Sequence, residues 1–232
     1  MPVTSSSRFH RLAAGAAVPV VAGLLLLGVW VAGGVITDDY RTSMGLTAAW
    51  FALAGAACVL IARRARHLRV AVLATYVITA GAVGAYLGVS TLRDRVVDEQ
   101  VVTAAPGPAA GTAMASMPSE REEAPQAVEV ASGRFRSHEH ETSGRAAVVR
   151  LADGRRFLTL TSFSTSAGPD LRIRLVPGDS LDGGADGALD LGALKGNRGD
   201  QQYRIPSGVE VDSRTVVVWC RAFSAPFGSA RL

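Results

Sequence analysis

Residues 20–36 read VVAGLLLLGVWVAGGVI and carry no charged side chain. The apolar run reaches back to Leu12, so residues 12–36 exceed the roughly 20 residues a helix needs to cross a hydrocarbon core. Two more such runs follow: 44–62, MGLTAAWFALAGAACVLIA, and 70–92, VAVLATYVITAGAVGAYLGVSTL. Short polar links, 37–43 and 63–69, join them. This pattern predicts a three-helix membrane anchor over 12–92, behind a short cytoplasmic tail, 1–11. Small residues recur in each run, Gly28, Gly33, Gly55 and Gly84 among them, and predict close helix packing. No Asp, Glu, Lys, Arg or His lies inside a run, which argues against an ion or proton pathway. Cys58 reads as a small apolar residue of the second run.

The flanking charges orient the anchor. Arg8, Arg11, Arg63, Arg64, Arg66 and Arg69 fall on one side. Arg41, Arg93 and Arg95 fall on the other, diluted by Asp38, Asp39, Asp94, Asp98 and Glu99. The positive-inside rule places the amino terminus and the RRARHLR loop in the cytoplasm and everything after Leu92 outside. A cleaved signal peptide is the alternative for the first run, but its apolar stretch is too long and no clear A-x-A site follows it. The expected location is a bacterial cell membrane, multi-pass, with the lipid bilayer as the first partner.

The chain has 232 residues, 24 basic against 20 acidic, for a net charge of +4. Only Lys195 among the basic residues is a lysine. The basic residues are mixed with acids and form no basic-aromatic stripe, so a nucleic-acid partner is not expected.

Beyond the third run the composition changes. Residues 100–127, QVVTAAPGPAAGTAMASMPSEREEAPQA, are rich in Ala and Pro and show neither helical nor strand periodicity. Residues 93–131 as a whole read as a disordered linker. As a coil, the part from 100 to 127 spans roughly 30 Å.

From Ser132 the period becomes two. LRIRLV sets Leu171, Ile173 and Leu175 on one face, and RRFLTLTSF alternates around Leu158 and Leu160. Asp153-Gly154 separates two strand-like runs, a hairpin signal. VVVWC, 216–220, is β-branched and apolar on both faces, as a central strand should be. Short strands between Gly, Pro and Asp turns predict an all-β sandwich over 132–232.

Several uncommon strings in this region resemble, in order, the extracellular "electron transfer DM-thirteen" domain family. They are His140 of H-x-T-S-G, Gly168-Pro169-Asp170, Leu194-Lys195-Gly196-Asn197, Tyr203, Pro206, Trp219-Cys220, Phe223 and Phe227-Gly228. The resemblance runs from Gly133 to Leu232. It implies a redox or electron-transfer role centred on the cysteine, an extracytoplasmic redox protein as partner, and a site drawn from Cys220, His140, Trp219, Tyr203, Lys195 and Asp170. The cofactor stays open between haem, copper and none. His138 is an extra residue beside the family pattern.

The residues themselves leave two readings of Cys220. In an exported domain it is the one cysteine, because Cys58 lies in a span, and an unpaired exported thiol invites a redox or ligand role. Free cysteine is also among the most buried residue types, so Cys220 reads equally as a small hydrophobe in a cell-surface binding or structural module. On a strand, His138 and His140 would share a face, and with Cys220 they form a candidate set for copper or zinc. Asp179, Asp182, Asp186 and Asp190 lie on a Gly-rich loop without EF-hand spacing, which favours a solvated loop over calcium. Trp219 and Tyr203 are candidate electron relays or, more plainly, core residues with one hydrogen bond each. No hydrolase or dinucleotide motif occurs.

Overall fold

The computed structural model describes residues 4–37, 39–104 and 127–232, with side chains from Leu12 onward. The described residues divide between two compact units. One is Met1–Arg93 with Gly168–Asp170 and Cys220–Ala225; the other is Asp94–Ala167, Leu171–Trp219 and Pro226–Leu232.

The first unit is built on three helices, α1 (Thr4–Gly34), α2 (Tyr40–Arg64) and α3 (Arg69–Leu92), with a single 3-10 turn at Arg66–Leu68. Each is long and apolar enough to cross a membrane. The Asp39 side chain accepts the Thr42 N–H and caps α2 at its start. Few of the apolar side chains are buried: Trp30, Leu53, Val77 and Ile78 are all exposed. The helices meet through aromatic rings on small residues. Trp50 donates its indole N–H to the Leu25 carbonyl at 3.3 Å, and a side chain at Gly28 would collide with the Trp50 ring. The glycine there makes room for a ring, one form of the close packing that the small residues predict.

The C-terminal strands form an antiparallel β-sandwich. One sheet has the order β1-β3-β4-β7 and the other β2-β9-β8-β5-β6. The strands are β1 (Val128–Arg134), β2 (Arg136–Ser137), β3 (Thr142–Arg150), β4 (Arg156–Thr165), β5 (Leu171–Pro177), β6 (Leu189–Ala193), β7 (Gln201–Ile205), β8 (Arg214–Cys220) and β9 (Ala225–Arg231). The expected alternation holds: Leu171, Ile173 and Leu175 are buried while Arg172 and Arg174 are partly exposed. The β3–β4 hairpin turns at residues 151–155, around Asp153-Gly154.

β8 lies in the middle of its sheet, and every residue from Thr215 to Cys220 is buried. A strand alternates its side chains between two faces, so both faces need cover. One cover is the Asp-rich loop before β6. Val176, Val217 and Trp219 cluster, and Ala185 and Ala188 pack onto them. At Gly183 an added Cβ would strike the Trp219 indole, so the loop's glycine lets its backbone lie on the ring.

The span 93–131, expected to be a disordered linker, is partly ordered. Residues 94–102 run extended along the β domain, and β1 begins at Val128. The Ala/Pro-rich stretch 105–126 lies outside the described residues.

Candidate functional site

Cys220 closes β8 and is fully buried, with no disulfide partner. Its carbonyl accepts the Phe223 N–H at 3.3 Å in the turn that follows. In the same unit Phe223 meets Tyr40 edge-on, ring centroids 5.1 Å apart, and the Ser224 hydroxyl donates to the Gly34 carbonyl at 3.3 Å. Burial pushes the Cys220 thiol up to about 11, against weaker lowering by the backbone of Phe223, Asp170 and Ala222. The thiol is therefore protonated at neutral pH, the opposite of a nucleophilic cysteine, whose thiolate is favoured by a nearby cation. The adjacent cation is engaged elsewhere. Arg221 donates through Nε to Asp170 Oδ2 at 2.7 Å and through its backbone N–H to the Asp170 carbonyl at 3.0 Å. Asp170 thus acts as a tie for the turn after Cys220.

The histidine pair does not form the strand geometry that H-x-H suggested. β2 ends at Ser137, and residues 138–140 bend. Both His138 and His140 direct their backbone N–H to the Phe227 carbonyl. The His140 ring lies against the Phe227 ring, centroids 3.9 Å apart. His138 Nε2 instead meets Ser229 Oγ at 2.8 Å, and partial burial lowers its pKa. Among the described residues no three His, Cys, Asp or Glu side chains come together as a metal-binding group. The bend after β2 replaces the strand that would have aligned the two imidazoles on one face. Three of the four aspartates of the Gly-rich loop are engaged: Asp179 pairs with Arg231, Asp190 with Arg172 and Arg174, and Asp182 accepts the Gly184 N–H.

Lys195 and Tyr203 belong to a second, separate constellation. Lys195 Nζ binds both Glu99 oxygens, at 2.8 and 2.9 Å, and the Gln202 carbonyl at 2.8 Å. It also lies 5.2 Å over the Tyr203 ring, within cation–π range. The Tyr203 hydroxyl donates to Gln201 Oε1 at 2.8 Å and accepts the Lys195 N–H at 3.1 Å. Burial raises its pKa to about 12. Gln201 is fully buried and returns a bond to the Gly196 carbonyl. Asn197 accepts the Arg95 N–H and donates to Asp94 and to the Thr165 carbonyl. The L-K-G-N turn is thus a socket for residues 94–102. Glu99 and Gln201 are its unforeseen members. Glu99 was hidden because it stands in a stretch without periodicity, and a buried glutamine has no pattern of its own.

Trp219 is core, under the loop described above. Tyr203 is core with a satisfied hydroxyl.

Residues 134–232 match the family model described as Electron transfer DM13. No curated protein and no solved structure matches the chain.

Proposed function

We propose that the DM13-like domain, residues 134–232, is an electron-transfer module displayed outside the cytoplasm on the three-helix anchor, with Cys220 at its redox site. The observation that carries this reading is the family match, which covers the whole sandwich after β1 and includes the Trp219-Cys220 pair. The arginine-rich flanks at the amino terminus and at the α2–α3 connection support the orientation. A solvent-free thiol without a cysteine partner supports a centre that is shielded from exchange with small thiols. The partner in this reading is an extracytoplasmic redox protein.

One observation favours a second reading, a surface binding or structural module with an inert cysteine. The thiol is fully buried and held neutral by that burial. The two readings part on one experiment with the full chain in nanodiscs. Voltammetry and metal analysis are recorded on the wild type and on Cys220→Ser. The redox reading expects a wave or bound cofactor in the wild type that the variant loses while keeping its β-type circular dichroism. A silent wild type, with the variant only melting earlier by the roughly 1–3 kcal/mol that an unpartnered buried hydroxyl costs, leaves the structural reading alone.

A further inference from the structure

The first unit carries a feature that electron transfer does not use. An open cavity of about 400 Å³ lies at the α2–α3 connection, lined by Val59, Ala62, Arg63, Arg66, Arg69 and Leu73. Arg63 belongs to the last turn of α2, Arg66 to the 3-10 turn, and Arg69 opens α3. Three arginines of one tight connection therefore line the same cavity. The walls below them are apolar: Val59 is one helical turn before Arg63, and Leu73 one turn after Arg69.

Nothing in this part of the chain neutralises the charge. There is no Asp or Glu from Met1 to Thr37, nor from Tyr40 to Arg93. Asp39 caps the far end of α2, and a helix of 25 residues is about 37 Å long. Asp38 adjoins Asp39 in sequence, and Asp170, the third acid of the unit, pairs with Arg221. Among the described residues of this unit no counter-charge is supplied, and an anion from another molecule can supply it. Arginine forks match phosphate oxygens in geometry as well as in charge. The apolar walls descend into the hydrocarbon-spanning part of both helices, which suits an acyl chain and not a free ion. Basic pockets between spanning helices bind anionic headgroups on these terms.

We propose that the cavity between Arg63, Arg66 and Arg69 is a binding site for an anionic phospholipid, with the headgroup phosphate held by the three guanidinium groups and an acyl chain along Val59 and Leu73. The site rests on the three helices spanning a bilayer, and not on which side the β domain occupies.

The test uses the full chain, exchanged from detergent into phosphatidylcholine nanodiscs doped with phosphatidylglycerol. Phosphatidylglycerol that stays with the protein on re-extraction is counted by mass spectrometry. Arg66→Gln and Arg69→Gln should each lower retention about fivefold, the usual worth of one basic residue at an anionic surface. Arg64→Gln removes the same charge from the same turn but not from the cavity lining, so it should retain phosphatidylglycerol as the wild type does. Equal losses in all three variants would mean diffuse surface attraction and overturn the site. Complete displacement by millimolar inorganic phosphate would assign the cavity to free phosphate and overturn the lipid. If a glutamine variant misfolds, a photoactivatable phosphatidylglycerol on the wild type decides: label within residues 59–73 supports the site, and label elsewhere refutes it. A chain that does not float with liposomes overturns the membrane reading and the site together; one that floats without selecting phosphatidylglycerol overturns only the site.

Discussion

The helices and the central sheet use the same apolar residues for opposite ends. In α2 and α3, Leu53 is 69% exposed and Ile78 is 70% exposed, whereas Ile173 in β5 and Val217 in β8 are 0% exposed. The cause is where each element's backbone finds its partners. A helix closes its hydrogen bonds within itself, so its side chains are free to face lipid. A strand bonds to neighbouring strands, and outside lipid its apolar side chains are covered by the opposing sheet or by a loop. An exposed leucine is therefore in its working environment on the anchor and would be a fault in the sandwich.

The sharpest way to break this comparison is a matched pair of truncations in the full chain, held in a lipid bilayer. Ile173→Ala leaves a hole in a closed core and should cost about 2–5 kcal/mol. Leu53→Ala should cost little, because lipid fills the vacated space. Thermal melting followed by circular dichroism, near-ultraviolet for the sandwich and far-ultraviolet for the helices, reads both. A Leu53→Ala loss as large as that of Ile173→Ala would show that the outer face of α2 packs on protein.

A second contrast lies within the β domain, between strands held by side-chain packing and the segment 94–102, held by backbone bonds and a few polar groups. Val97 N–H donates to the Arg198 carbonyl and Glu99 N–H to the Asp200 carbonyl, both at 2.9 Å. Removing the segment also strips Lys195 of Glu99 and Asn197 of Asp94. At about 1 kcal/mol net per bond, less the ordering of the segment, a fragment starting at residue 128 should be roughly 2 kcal/mol less stable than one starting at 94. Urea titration of the two fragments measures the gap. Equal midpoints would reduce the segment to a passive tether.

That segment also marks where reading the sequence stops. The spans were legible because hydrocarbon demands a long uncharged run. β4, β5 and β8 were legible because burial on a sheet leaves a period of two or a continuous apolar run. Residues 94–102 leave no such trace, since backbone bonds require no particular side chain. The strand geometry expected of His138 and His140 was misread for a related reason. Spacing of two aligns side chains only on a strand, and here a bend directs both amides to the Phe227 carbonyl. Cys220 was placed correctly at the end of the best strand. Its protonation was not readable, because that depends on desolvation by residues distant in sequence.

The smallest effect tests the polar side of the second contrast. Burial alone would raise the Glu99 pKa, but hydrogen bonds from Lys195 and from the Gln202 N–H, with the Lys195 charge, outweigh it and hold the carboxyl below its ordinary 4.5. A carboxylate whose folded pKa is depressed adds stability that is complete above the unfolded value. That increment is lost as pH falls through the lower folded value. The stability gap between the two fragments should therefore be constant from neutrality to about pH 5 and narrow below 4.5. The narrowing should stay under about 1 kcal/mol, because Lys195 and Glu99 are partly open to solvent. Groups common to both fragments, such as Glu129 and Asp190, cancel in the difference. Glu99→Gln in the longer fragment should reduce the gap at pH 7 and flatten most of its change with pH. A gap that widens on acidification, or that narrows equally in Glu99→Gln, would mean that the segment is held by its backbone alone and that Lys195 merely covers it.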